Sequence, residues 1–103
     1  MKDKLVFNDF LIDEQVILSF DEFCHSCEME SHRIIQFVEY GVIEPEGSSP
    51  EQWCFSAYHL NRIQRACRLQ RDLQVNLEAL GLVLDLIEEV QTLRRKMLHF
   101  NKS

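Results

Sequence analysis

Val16-Ile17-Leu18-Ser19-Phe20-Asp21-Glu22-Phe23-Cys24-His25-Ser26-Cys27-Glu28-Met29-Glu30-Ser31-His32-Arg33-Ile34-Ile35-Gln36-Phe37-Val38-Glu39-Tyr40-Gly41 is the stretch that decides the fold. The apolar run at Val16, Ile17 and Leu18 is too brief for a helix and suits a buried strand. Ser19 followed three residues later by Glu22 is a capping box, in which each side chain satisfies an orphan amide at the other end of the turn. A helix is therefore predicted from Ser19 to about Cys27, with Phe20, Phe23 and Cys24 turned inward. Ile34, Ile35, Phe37 and Val38 recur at helical intervals and predict a second helix from Glu30 or Ser31 to Tyr40, closed by Gly41 in the left-handed region. Two short helices joined by a tight turn result.

Downstream, Val42 and Ile43 read as extended, Pro45 and Gly47-Ser48-Ser49-Pro50 as loop, and Trp53-Cys54-Phe55 as a returning strand, which together make a hairpin or wing. Ser56 is placed to cap a third helix carrying Leu60, Ile63, Ala66, Cys67, Leu69 and Leu73. Gln74, Val75 and Asn76 interrupt that helix, and Asn76 caps the next. The last helix runs from about Leu77 to near Phe100 with two apolar rows. Leu77, Leu80, Leu84 and Ile87 form one. Val83, Leu86, Val90, Leu93, Met97 and Phe100 form the other, in strict 3-4 alternation, and a seam of that length calls for a second copy of the chain, most simply antiparallel about a twofold axis. Glu78 near the start of this helix and Arg94, Arg95 and Lys96 near its end suit the helix dipole. The expected organisation is an acidic N-terminal arm over 1–15, a winged helix-turn-helix-like head over 16–75 and a long dimerisation helix over 76–103, a mainly α fold with a short β wing.

Composition narrows the function. With 103 residues, 46% apolar and 27% charged, the chain has material for one core and excludes a large multidomain enzyme. No apolar run approaches the ~20 residues of a membrane span, and no secretory signal is legible, so the four cysteines are expected as thiols in a reducing cytoplasm. The net charge of −6 is local: Asp21, Glu22, Glu28, Glu30, Glu39, Glu44 and Glu46 face only Arg33 within residues 19–47. Arg62, Arg65, Arg68 and Arg71 against Asp72 make the following segment positive. A surface of the head's sign repels a phosphate backbone and attracts a basic protein patch.

Four pieces of the sequence carry a resemblance: Ser19-Phe20-Asp21-Glu22-Phe23-Cys24, Val38-Glu39-Tyr40-Gly41-Val42-Ile43-Glu44-Pro45, Trp53-Cys54-Phe55-Ser56 and Gln64-Arg65-Ala66-Cys67-Arg68-Leu69. In this order and spacing they resemble the chaperone modulatory protein family CbpM, whose members look like heads of the MerR-type winged helix-turn-helix without DNA-reading chemistry. The similarity spans roughly residues 16 to 100. It implies a homodimer that binds the J-domain of the DnaJ-like co-chaperone CbpA, competing with the Hsp70 partner DnaK. J-domains present a basic helix to Hsp70, so the seven head carboxylates are the candidate partner contacts and the 83–100 seam the candidate dimer interface. MerR-like heads commonly place Gly in the turn between the first two helices, where this chain has Glu28 or a neighbour, so a left-handed turn there would be strained. The alternative is a MerR-type DNA-binding transcription regulator, motivated by architecture alone.

The remaining motifs have plainer readings. Cys24-His25-Ser26-Cys27 is a C-x-x-C, half of a zinc site with His32 or Cys54, or a redox pair. No second clear ligand pair accompanies it, and it closes a helix rather than opening one, so buried thiols are the better reading. The four arginines at every third residue wind around a helix instead of forming a flat stripe. They are expected to pair with the chain's own acids or a partner's, since Glu28 and Glu30 stand where base-reading side chains would be wanted. Trp53 is expected to close the wing against the helices. The four histidines are scattered and no phosphate cradle or pocket is evident, so neither enzyme nor cofactor is expected.

Overall fold

The computed structural model describes residues 4–7, 10–13 and 16–102, with side chains over 16–100. In chain order the elements are β1 (Lys4–Phe7), β2 (Phe10–Asp13), β3 (Ile17–Ser19), α1 (Phe20–Cys27), α2 (Ser31–Glu39), a 3-10 turn at Pro50–Gln52, β4 (Cys54–Ser56), α3 (Ala57–Leu73) and α4 (Leu77–Lys102). The acidic stretch expected as an arm carries an antiparallel ribbon, with Lys4 opposite Asp13 and Phe7 opposite Phe10. Its acids Asp3, Asp9 and Glu14 lie outside the described residues.

The capping box that decides the fold is formed. Ser19 Oγ accepts from the Glu22 amide at 3.2 Å, and the Ser19 amide donates to Glu22 Oε1 at 2.8 Å. At the other end of α1, Glu28 is left-handed, with φ 55° and ψ 43°. The Glu28 amide donates to His25 O and the Met29 amide to Cys24 O, each at 3.1 Å, closing the helix and reversing the chain into α2. The turn is left-handed although no glycine occupies it, and that backbone costs Glu28 about 1 kcal/mol relative to glycine.

Beyond α2 the structure corrects one expectation. Gly41 is left-handed as read, with φ 74°, but Val42 and Ile43 form no strand. The Val42 amide closes α2 by donating to Phe37 O at 2.8 Å, and its carbonyl accepts from the Arg62 guanidinium. With both backbone groups committed, Val42 has nothing left for a ladder, and Val42 and Ile43 instead plug the core. The returning strand β4 pairs with β3, Ile17 opposite Ser56 and Ser19 opposite Cys54. The wing is thus a loop pinned to β4 by a single bridge between Glu46 and Cys54.

Phe23, Ile34, Phe37, Phe55, Leu60, Ile63, Leu80 and Leu84 are the heart of the core, drawn from α1, α2, β4, α3 and α4. Phe23 stacks on Phe55 with centroids 4.1 Å apart, and Trp53 meets Phe20 edge-on at 5.4 Å, so the half-buried indole closes the wing against the helices. Ser56 caps α3. Asn76 caps α4, its Oδ1 accepting from the Ala79 amide at 2.9 Å. Gly81 lets α4 cross the end of α2 closely: a Cβ there would stand 2.9 Å from Gly41 O.

Candidate partner-binding surface

All seven head carboxylates are exposed. The α1–α2 turn gathers Asp21, Glu28 and Glu30, with Cys24, His25 and Met29, around one shallow concavity. Glu22 stands on the same helix face as the cap and is tethered by it. Glu39 ends α2, Glu44 follows the buried Val42-Ile43 plug, and Glu46 sits at the wing bridge, so the structure spreads the seven over the head instead of stacking them at one point. Among the described residues none is ion-paired to a lysine or arginine. Glu30 meets only the exposed His32, at 3.3 Å.

The arginines divide. Arg62, which the sequence grouped with the other three, is buried at 7% exposure and joins α3 to two other segments. It donates through Nε to Val42 O, through Nη2 to Gly81 O at 3.3 Å and Asp85 Oδ1 at 2.9 Å, and through Nη1 to Glu88 Oε2 at 3.0 Å. Tyr58 donates its hydroxyl to the same Glu88, at 2.8 Å. Burial opposes the charge on Arg62, but Glu88 and Asp85 outweigh it and hold the guanidinium above its usual range. Burial and the Glu88 carboxylate push the Tyr58 phenol up. Arg71 pairs with its neighbour Asp72 at 2.9 Å, and Arg33 lies 5.6 Å from the centre of the Phe37 ring. Arg65 and Arg68 border a shallow groove over Leu69, Leu73 and Ile87.

His59 is a second side chain the sequence left unassigned. Its Nδ1 accepts from the Ser56 amide at 3.0 Å, completing a capping box, which leaves Nε2 to donate to Glu44 O at 3.2 Å. Burial keeps its pKa below the ordinary imidazole value. Glu44, Tyr58, His59, Arg62 and Asp85 together wall a cavity of about 200 Å³ over Gly41 and Val42. The signal for this junction was present: Asp85 and Glu88, one turn apart, flank the Leu80, Leu84 and Ile87 row of α4, and Tyr58 and Arg62 stand one turn apart on α3.

Of the C-x-x-C, Cys27 lies in the core, its thiol pushed up to about 12 by burial, with Cys24 and Cys67 also raised by burial. A thiol so protonated is a poor nucleophile and a poor ligand. Among the described residues no group of three or more His, Cys, Asp or Glu could hold a metal ion.

The 83–100 seam lies on the outer side of α4. Val83 is half-buried, whereas Leu86, Val90, Leu93, Met97 and Phe100 are exposed, rising from 46% at Val90 to 79% at Phe100. Among the described residues no helix is long and apolar enough to cross a membrane.

Comparison with known proteins adds names to this geometry. The family described as MerR HTH family regulatory protein matches residues 18–102. A chaperone modulatory protein CbpM of Coxiella burnetii (strain Dugway 5J108-111) is 32% identical over 94 residues, covering 91% of this chain and 89% of the relative. Proteins of the same name from Pseudomonas entomophila (strain L48) and Pseudomonas putida (strain GB-1) are 37% and 35% identical over 71 residues, each covering 69% of this chain and 70% of the relative. These names point to regulatory, non-catalytic proteins.

Proposed function

The chain belongs to the MerR HTH family of regulatory proteins and, within it, to the CbpM chaperone modulatory proteins, and on that footing we propose how it modulates. Its acidic head docks onto the J-domain of a DnaJ-like co-chaperone such as CbpA, covering the basic surface that the Hsp70 partner DnaK would use. The protein works in the cytoplasm as a homodimer, two copies joined antiparallel through Val83, Leu86, Val90, Leu93, Met97 and Phe100, so that each dimer displays two heads.

The observation that carries this reading is the exposure of Asp21, Glu22, Glu28, Glu30, Glu39, Glu44 and Glu46, free of lysine or arginine partners among the described residues. Charges left in water contribute little to stability, and a field of one sign raises the encounter rate with a basic partner. Nucleic acid fits poorly: the exposed face of α2 offers Glu30 and Glu39 beside Arg33, and Arg62 and Arg71 are consumed by the chain's own acids.

The test is competition. Purified chain added to a preformed complex of J-domain and Hsp70 is expected to release the Hsp70, and Glu30→Lys or Glu44→Lys to weaken that release, with Arg95→Glu close to wild type. Hsp70 retained at saturating chain overturns the competitive mechanism. Retention of a specific genomic fragment in a gel shift at physiological salt supports the transcription-regulator alternative instead.

A further inference from the structure

Arg62 is a cation buried in a protein whose head is negative, and from α3 it donates four hydrogen bonds to acceptors on two other segments, the loop after α2 and α4. One of them, Val42 O, lies two residues before Glu44. His59, one turn earlier on α3, donates to the carbonyl of Glu44 itself. The piece of chain that carries Glu44 and Glu46 out of the core is therefore gripped by two side chains of α3. Beyond them the described residues hold it only by the Glu46–Cys54 bridge. The same guanidinium is tied through Gly81, Asp85 and Glu88 to α4.

We propose that Arg62 is a positioning residue for partner docking: it fixes the Glu44–Glu46 segment against α4, so that these carboxylates meet the basic partner at a set angle. The proposal rests on the J-domain reading above. Lysine cannot replace it, because a single ammonium on a flexible stem cannot span a backbone carbonyl on one side and two carboxylates on the other in one fixed fork.

The sign of the effect separates positioning from simple attraction. By charge alone, Arg62→Met makes the chain more anionic and tightens its hold on a basic domain. Positioning demands the reverse. In titrations of purified J-domain into the full chain, Arg62→Met is expected to weaken binding about fivefold or more. Glu44→Gln added to it is expected to cost little further, whereas Glu28→Gln, on the α1–α2 turn, is expected to cost its full amount. A merely structural role would leave both pairs additive. Arg62→Lys, which keeps the charge and suits the case in which Arg62→Met fails to fold, is expected to weaken binding and to couple to Glu44→Gln in the same way. Wild-type binding with unchanged or tighter binding by both Arg62 variants, or with additive Arg62 and Glu44 effects, overturns the proposal alone. No binding by the wild-type chain overturns the J-domain reading, and this proposal with it.

Discussion

The two halves of α4 both carry apolar residues at helical spacing and meet opposite fates. In the first half Leu80 and Leu84 are buried to 0% and 1% exposure, Gly81 lies against the end of α2, and Asp85 and Glu88 reach Arg62. In the second half Leu93, Met97 and Phe100 are exposed at 49%, 64% and 79%. Periodicity alone does not separate them, because both halves carry apolar residues at helical spacing. What separates them is chemistry that only a close neighbour explains. A glycine in mid-helix costs about 1 kcal/mol unless a backbone must pass close by, and a buried cation such as Arg62 needs acids set beside the buried row. The near half has both features, and the far half has neither.

The sharpest way to break this contrast is to truncate one leucine in each half. At a concentration where copies are dissociated, Leu84→Ala removes a fully enclosed side chain and is expected to cost about 2–5 kcal/mol in denaturant unfolding, while Leu93→Ala costs about 0.5 kcal/mol or less. Equal losses would mean that the far half packs on its own head. Gly81→Val comes next. Its branched carbons must enter the space beside Gly41 O, and the overpacking is expected to cost about 1–3 kcal/mol. A neutral result would show that α4 stands off α2.

Leu93→Glu probes association. Sedimentation is expected to report twice 12.2 kDa for the wild-type chain and 12.2 kDa for the variant, because a carboxylate in an apolar seam goes unpaired. A wild-type monomer removes the seam from the account. The smallest effect concerns pH at the junction. Burial holds His59 below its unfolded pKa of about 6.5, so the unfolded state takes up its proton first. The stability this provides is complete above about pH 6.5 and is lost as pH falls from there through the folded pKa, because Nδ1 must stay unprotonated to accept from the Ser56 amide. His59→Gln is expected to flatten the stability profile over that window, and an unchanged slope contradicts the capping role.

Much of the fold was legible because its signals are local. The Ser19–Glu22 box, Gly41 and the Ser56 and Asn76 caps each lie within one turn of the residues they govern, and each forms as read. The left-handed backbone at Glu28 shows that the turn accepts the strain that the missing glycine implied. The hairpin drawn from Val42 and Ile43 failed because their short β-branched run has the composition of a strand, while the closure of α2 onto Phe37 O and a long-range bond from Arg62 decide its conformation. Arg62 was missed for the same reason: the sequence shows four arginines at equal spacing, and only the crossing of α4 distinguishes the one that is buried. The candidate carboxylates were legible as exposed acids; that Arg62 and His59 hold the backbone leading to Glu44 was not, because those contacts join residues far apart in the sequence.

The claim on which this account depends is that the head's carboxylates engage a basic partner surface. Its most direct measurement is a calorimetric titration of J-domain into the chain at low and at high salt. The account requires saturable binding at low salt with one J-domain per chain, weakened by salt and by Glu22→Lys, Glu30→Lys or Glu44→Lys. No saturable binding at low salt, or affinity that is indifferent to salt and to all three reversals, would contradict it.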